Sequence, residues 1–226
     1  MRSLALAFAL VLTAAPLLAQ DGAGAAAGAL TIGRLRYDGG GDWYANPSSL
    51  PNLLAAIREQ TGLPTGPREV VVRLGEEALW SVPYLYATGH GEIRFSDAEL
   101  EILRRWLRQG GFLHLDDNYG MDASVRRELA RLLPGVAPAE VPRDHPIYSV
   151  VHRFPEGLPK IHEHDGKPPE GLGLFLDGRL AVFYSHETDL GDGWEDPGVH
   201  DDPPAKREAA LAMGVNLFAY AVGFAR

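Results

Sequence analysis

SDAELEILRRWLRQGGFLHLDDN, residues 96–118, is the stretch that decides the fold. Ser96 and Glu99 stand at the S-x-x-E spacing of a capping box, in which a hydroxyl and a carboxylate satisfy the first free N–H groups of a helix. Leu100, Leu103, Trp106 and Leu107 then fall on one helical face. Gly110 and Gly111 end that helix, because glycine readily takes the left-handed conformation of a helix C-terminus. Residues 112–115 form a short apolar run of strand type, and it opens directly onto Asp116, Asp117 and Asn118. A capped amphipathic helix feeding a buried strand is the repeating unit of an α/β sheet.

The same alternation extends both ways. Upstream, residues 30–37 predict a strand that ends in Asp38-Gly39-Gly40-Gly41-Asp42. Leu50, Leu53, Leu54 and Ile57 predict a helix stopped by Gly62. Residues 69–74 and 84–88 predict two more strands, the second running into Gly89-His90-Gly91. Downstream, Val125, Leu129 and Leu132 predict a helix ended by Pro134-Gly135. Residues 134–171 are rich in Pro, Gly and His and carry little periodicity. Residues 172–176 and 180–184 predict a hairpin, since Asp177-Gly178 is a strong two-residue turn signal. Residues 185–204 read as a long acidic loop. Leu211, Val215, Phe218 and Val222 mark a final helix. The expected architecture is α/β, with a mostly parallel sheet covered by helices and a C-terminal hairpin and helix.

The N-terminus predicts export. Arg2, the apolar run over residues 4–12 and the small residue Ala19 follow the signal-peptide pattern. The run falls short of the roughly 20 residues a membrane span needs. Residues 1–20 are therefore read as a signal peptide, 21–29 as a flexible spacer and 30–226 as a single domain, periplasmic or secreted, with no membrane span once the signal is removed. The chain carries a net charge of −9, and losing one arginine and no acid with the signal leaves −10. Phosphate neutralisation needs clustered Lys and Arg, so no nucleic-acid partner is expected. The chain has no cysteine, which excludes disulfides, thiolate metal sites and a cysteine nucleophile.

Ligands of open parallel sheets bind outside the carboxyl ends of the strands. Four predicted strands end in polar loops, and these supply the candidate residues. His90, Asp116, Asp117, His186 and Glu187 are the candidate acid–base groups, since imidazole and paired carboxylates are the usual proton carriers. Adjacent strand residues point to opposite faces, so only one of Asp116 and Asp117 is expected in the crevice; a helix cap is the other role open to an aspartate here. Asp42, Trp43, Tyr44, Asn118, Tyr119 and Trp194 are the candidate ligand contacts, with aromatic rings suited to sugars or to a protein partner. A divalent metal is compatible with these loops: Asp189 to Asp196 offers oxygens for calcium, although a solvated acidic loop reads better, and His162, Glu163 and His164 offer ligands that an extended chain cannot easily bring to one ion. The Gly-rich turn after the first strand has neither phosphate-loop nor dinucleotide spacing, so no nucleotide cofactor is expected.

The words Gly41-Asp42-Trp43-Tyr44, Thr88-Gly89-His90-Gly91, residues 110–122 from Gly110-Gly111 to Met121-Asp122, His145-Pro146-Ile147-Tyr148 and residues 184–194 resemble the bacterial family catalogued as domain of unknown function 4159. The resemblance spans about residues 30–224. It implies a three-layer α/β/α sandwich of flavodoxin-like type, similar to class I glutamine amidotransferases and ThuA-like trehalose-utilisation proteins. Glutaminase activity is excluded, because the position of the amidotransferase cysteine is filled by Asp116-Asp117-Asn118. Two readings remain: a site for a polar small molecule or carbohydrate at the C-terminal sheet edge, or a non-catalytic binding or envelope-assembly module with a protein partner.

Overall fold

The computed structural model describes residues 28–224. The predicted signal peptide and residues 21–27 of the predicted spacer lie outside them. In chain order the elements are β1 (Ile32–Leu35), α1 (Ser49–Thr61), β2 (Val70–Val72), β3 (Tyr84–Gly89), α2 (Asp97–Arg108), β4 (Phe112–Asp117), α3 (Asp122–Leu132), β5 (Ala139–Glu140), β6 (Glu170–Leu176), β7 (Arg179–His186), α4 (Leu190–Gly193) and α5 (Pro204–Ala221). They build one seven-stranded sheet in the order β2-β1-β3-β4-β7-β6-β5. β2, β1, β3, β4 and β7 are parallel. β6 is antiparallel to β7, and β5 to β6. Among the described residues no helix is long and apolar enough to cross a membrane.

Parallel strands must be covered on both sides, and every residue of β3 and β4 is buried. Their alternation divides the core in two. Leu85, Ala87, Leu113, Leu115 and Val182 pack with Leu103 and Trp106 of α2 and Leu129 of α3. Tyr84, Tyr86, Phe112 and Phe183 pack with Leu53 and Ile57 of α1 and Met213 and Phe218 of α5.

The local chemistry behaves as the sequence implies. Ser96 Oγ accepts from Glu99 N–H, and the Glu99 carboxylate accepts from Ser96 N–H, so both halves of the capping box form. Gly62 closes α1 with φ 76°. Asp177 and Gly178 take φ 50° and 79°, as a type I′ turn demands.

Three expectations need correction. β4 continues through Asp116 and Asp117, which are therefore strand residues and not a loop. The irregular stretch 134–171 contributes β5, the far edge of the sheet. Residues 185–204 are not a solvated acidic loop. They contain α4 and bury Glu187, Asp189, Asp192 and Glu195, because distant side chains arrive to satisfy those carboxylates.

Candidate functional site

The site is founded on a polar line inside the sheet. His114 and Asp116 share the face of Tyr84 and Tyr86, since period two places alternate β3 and β4 residues together. β7 brings Ser185 opposite Asp116. Tyr84 Oη meets His114 Nδ1 at 2.8 Å, and His114 Nε2 meets Ser185 Oγ at 2.8 Å. Ser185 donates to Asp116 Oδ1, and Tyr86 donates to Asp116 Oδ2 at 2.9 Å. One proton arrangement satisfies the line. His114 is neutral with its hydrogen on Nε2; Tyr84 donates to its free Nδ1 lone pair, and Ser185 passes its own hydrogen to Asp116. Burial agrees, pushing His114 down to about 3. Burial, then the neighbouring Asp189 charge, pushes Asp116 up to about 7 against the pull of its donors.

Asp116 fastens the loop above it. Its carboxylate accepts from the backbone N–H groups of Leu190 (3.3 Å) and Gly191 (2.7 Å) at the start of α4. Only glycine fits at 191, where a Cβ would stand 2.3 Å from Tyr86 Oη. Asn46 Nδ2 holds Asp192 Oδ1 at 2.6 Å. Glu187 and Asp189 adopt positive φ of 57° and 64°. Such strain persists only where surroundings over-determine it, and it concentrates at functional loops.

Over this base lies a cleft of about 650 Å³ walled by His90, Asn118, Tyr119, His162, His164 and Asp189, with Ile161, Glu163 and Lys206 completing it. His90 follows β3, Asn118 and Tyr119 follow β4, and Asp189 follows β7, so the cleft crosses three strand ends. With its NH2 turned to the carboxylates, Asn118 donates to Asp192 Oδ1 and Asp189 Oδ2, each at 2.8 Å. His164 Nε2 lies 3.3 Å from Asp189 Oδ2. His162 Nδ1 lies 3.4 Å from Asp189 Oδ2 and 3.1 Å from Asp192 Oδ2. Those two carboxylates, Asp189 first, raise His162 to about 10, and Asp189 likewise raises His164. Burial works to raise Asp189, but the two imidazoles hold it below the ordinary carboxylate value. Tyr119, at φ 90°, stands half exposed at the rim, edge-on to His164 with ring centroids 5.1 Å apart.

A second cleft of about 280 Å³ adjoins the first and shares Tyr119 and His164 with it. Asp117, Asp122, His186 and Glu187 line it. His186 Nδ1 is 2.9 Å from Glu170, while its Nε2 is 3.9 Å from Asp117 and 3.7 Å from Asp122. Burial raises Asp117, opposed by the N–H of Met121. Asp117 Oδ1 also accepts from Tyr119 N–H at 3.0 Å and Met121 N–H at 2.9 Å, ordering the turn into α3.

The structure therefore divides the expected residues. Only Asp117 of the carboxylate pair faces a cleft; Asp116 lies beneath, as alternation requires. His90 faces the larger cleft, with Nδ1 3.1 Å from Asp42. Gly89 permits that pairing, since a Cβ there would stand 2.8 Å from the Asp42 carboxylate. His186 and Glu187 belong to the smaller cleft, and Lys160 Nζ holds Glu187 at 3.1 Å. Asn118 and Tyr119 are walls. Trp43 packs on the core beneath Arg36, and Tyr44 is exposed outside both clefts. Trp194 is a core residue with no exposure, its indole N–H on Ala210 O, so it offers no surface to a ligand. His114, Ser185, Tyr86, His200, Asp202 and Lys206 were missed. The first three carried a usable signal, polar residues at period two within buried strands.

A family model for the Domain of unknown function (DUF4159) matches residues 31–222, nearly the whole described chain. No curated protein matches it. The chain belongs to the DUF4159 family.

Proposed function

We propose that this DUF4159 member binds a polyhydroxylated small molecule of the carbohydrate class in the larger cleft, outside the cytoplasm. The supporting observation is the convergence of His90, Asn118, Tyr119, His162, His164 and Asp189 on one cleft across the ends of β3, β4 and β7. Carboxylates there only accept hydrogen bonds, whereas Lys206 only donates. A hydroxyl does both. An apolar ligand strips water from groups it cannot satisfy. The Tyr119 ring adds an exposed aromatic face, which suits the C–H face of a sugar. A sheet of the amidotransferase-like and ThuA-like type, as the resemblance implies, fits a carbohydrate-related ligand, although a fold alone does not carry an activity.

One observation favours binding without turnover. Ser185, the one hydroxyl beside both an imidazole and a carboxylate, receives the His114 N–H instead of giving up a proton to it, and it is fully buried.

Calorimetric titration with a panel of mono- and disaccharides tests this reading. Tyr119→Ala and His164→Ala should each weaken binding about tenfold or more, the scale of a lost stacking or hydrogen-bonding contact. No binding across the panel, or full affinity in both variants, removes it. Export is tested by sequencing the N-terminus of the protein recovered from the periplasm or medium. Cleavage near residue 20 is expected, and an intact Met1 contradicts it.

A further inference from the structure

Beside the larger cleft, His162, Asp192 and His200 bring one ligand atom each to within 4.8 Å of one another. Both imidazoles turn Nδ1 towards the same oxygen. Asp192 Oδ2 lies 3.1 Å from His162 Nδ1 and 3.4 Å from His200 Nδ1. Two donors on a tetrahedral zinc-type ion, each about 2.0–2.1 Å from it, stand about 3.3 Å apart.

The opposite ring nitrogens supply an independent observation. His162 Nε2 makes an aligned hydrogen bond to Asp202 at 3.0 Å, and His200 Nε2 makes one to Glu195 at 3.2 Å. Both carboxylate side chains are only 6% exposed. Both Nδ1 atoms face Asp192 Oδ2, at 3.1 and 3.4 Å. A neutral imidazole has one N–H and one lone pair. Without an ion a protonated imidazole can give an N–H to the carboxylates on both sides; with an ion bound, the Nε2–H stays on its carboxylate and the Nδ1 lone pair turns to the ion. Metal-binding histidines show this arrangement, a carboxylate on the outer nitrogen fixing the tautomer and orienting the inner one.

The local charge has the same sense. Asp189, Asp192, Glu195 and Asp202 crowd His162, His164 and His200, with Lys206 and Arg207 held on the Ile161 and Glu195 carbonyls at the edge of the cluster. A cation at Nδ1 replaces the proton that an anion-facing imidazole otherwise needs.

The geometry points to a mononuclear site for a divalent transition metal of the zinc class, held by His162, Asp192 and His200 with Asp202 and Glu195 behind the imidazoles. Two nitrogens and one carboxylate oxygen select zinc or cobalt over calcium and magnesium, which want oxygen alone. Three protein ligands leave a coordination position free for water or a ligand. His162 also walls the larger cleft, so that position is within reach of whatever occupies it. This inference does not rest on the sugar-binding reading.

The experiment is titration of the chelator-treated, dialysed protein with Zn²⁺ by calorimetry and with Co²⁺ by visible absorption, in the absence of any sugar. One ion per chain is expected, with the intense d–d bands of a four-coordinate cobalt site. His200→Ala should weaken binding at least about tenfold, and its partial exposure keeps the fold out of question. Asp202→Asn should weaken binding about ten- to a hundredfold, as outer-shell losses do. The site is overturned if the intact protein takes up no Zn²⁺ or Co²⁺, or if His200→Ala and His162→Ala bind as the parent does. It is equally overturned if Ca²⁺ is preferred.

Discussion

Beneath α2 and α3 the sheet presents Leu85, Ala87, Leu113, Leu115 and Val182, apolar up to the strand end, where Asp117 and Tyr184 share that face. Beneath α1 and α5 the same strands present Tyr84, Tyr86, His114, Asp116 and Ser185, linked by hydrogen bonds. The first face gains stability simply by leaving water. The second must satisfy every polar group it buries, because an unpaired one costs about 1–3 kcal/mol. It does so: among the described residues no buried side-chain polar atom lacks a partner. Such a line roughly breaks even, so its return is positional. It fixes Asp116, Asp116 fixes α4, and α4 carries the carboxylates of the cleft. The difference teaches that one sheet can separate the work of folding from the work of building a site.

The largest effect should come from the apolar face. Leu113→Ala should cost about 2–5 kcal/mol in urea unfolding, as buried leucines do, while leaving saccharide affinity of the folded protein unchanged. A matching loss of affinity would break the separation.

On the polar face the signature is pH. Asp116 ionises at 3.8 when unfolded and at about 7 when folded. Between these values the folded state holds the extra proton, and stability falls by about 1.4 kcal/mol per pH unit. His114 titrates at 6.5 unfolded and about 3 folded. Over that window the unfolded state holds the extra proton, and stability rises with pH by a similar slope. The two oppose each other from about pH 4 to 6.5. Asp116→Asn removes the falling slope, so its stability relative to the parent should climb between pH 4 and 7. His114→Phe should do the reverse. Parallel pH profiles for parent and variants would mean that neither group is held as described.

Smaller again is Ser96→Ala, which removes the N-cap of α2 on the apolar side. A loss of about 1 kcal/mol in the same unfolding assay is expected, with the clefts undisturbed. Tyr119→Gly should change stability least. Its side chain is half exposed and its φ of 90° suits glycine, so thermal melts should stay close to the parent while ligand affinity drops.

Legibility in the sequence followed locality. The capping box at Ser96 and Glu99, the Gly62 stop and the Asp177-Gly178 turn are complete within a few residues, and each appears as read. The strand ends carrying His90, Asp117, Asn118 and Glu187 were legible because parallel sheets place them on one edge. Asp189, Asp192 and Glu195 were not. An acidic run reads as solvated unless its partners are visible, and here they come from Asn46, Ser48, Asn118 and His162 far along the chain. Trp194 misled for the same reason: its neighbours are acidic, yet its ring lies in the core against Tyr86. Asp116 and Asp117 read as a loop because carboxylates rarely lie inside strands; the hydrogen bonds from Ser185 and Tyr86 explain why the strand tolerates Asp116, and those from the Tyr119 and Met121 N–H groups why it tolerates Asp117.

The most direct test of the central claim is an amide chemical-shift map of the isotope-labelled domain titrated with the saccharide panel. The expected result is saturable shifts concentrated at residues 89–91, 117–121, 160–165 and 187–192, with the α2–α3 face silent. Saturable shifts confined to that apolar side, or none with any saccharide, would contradict it.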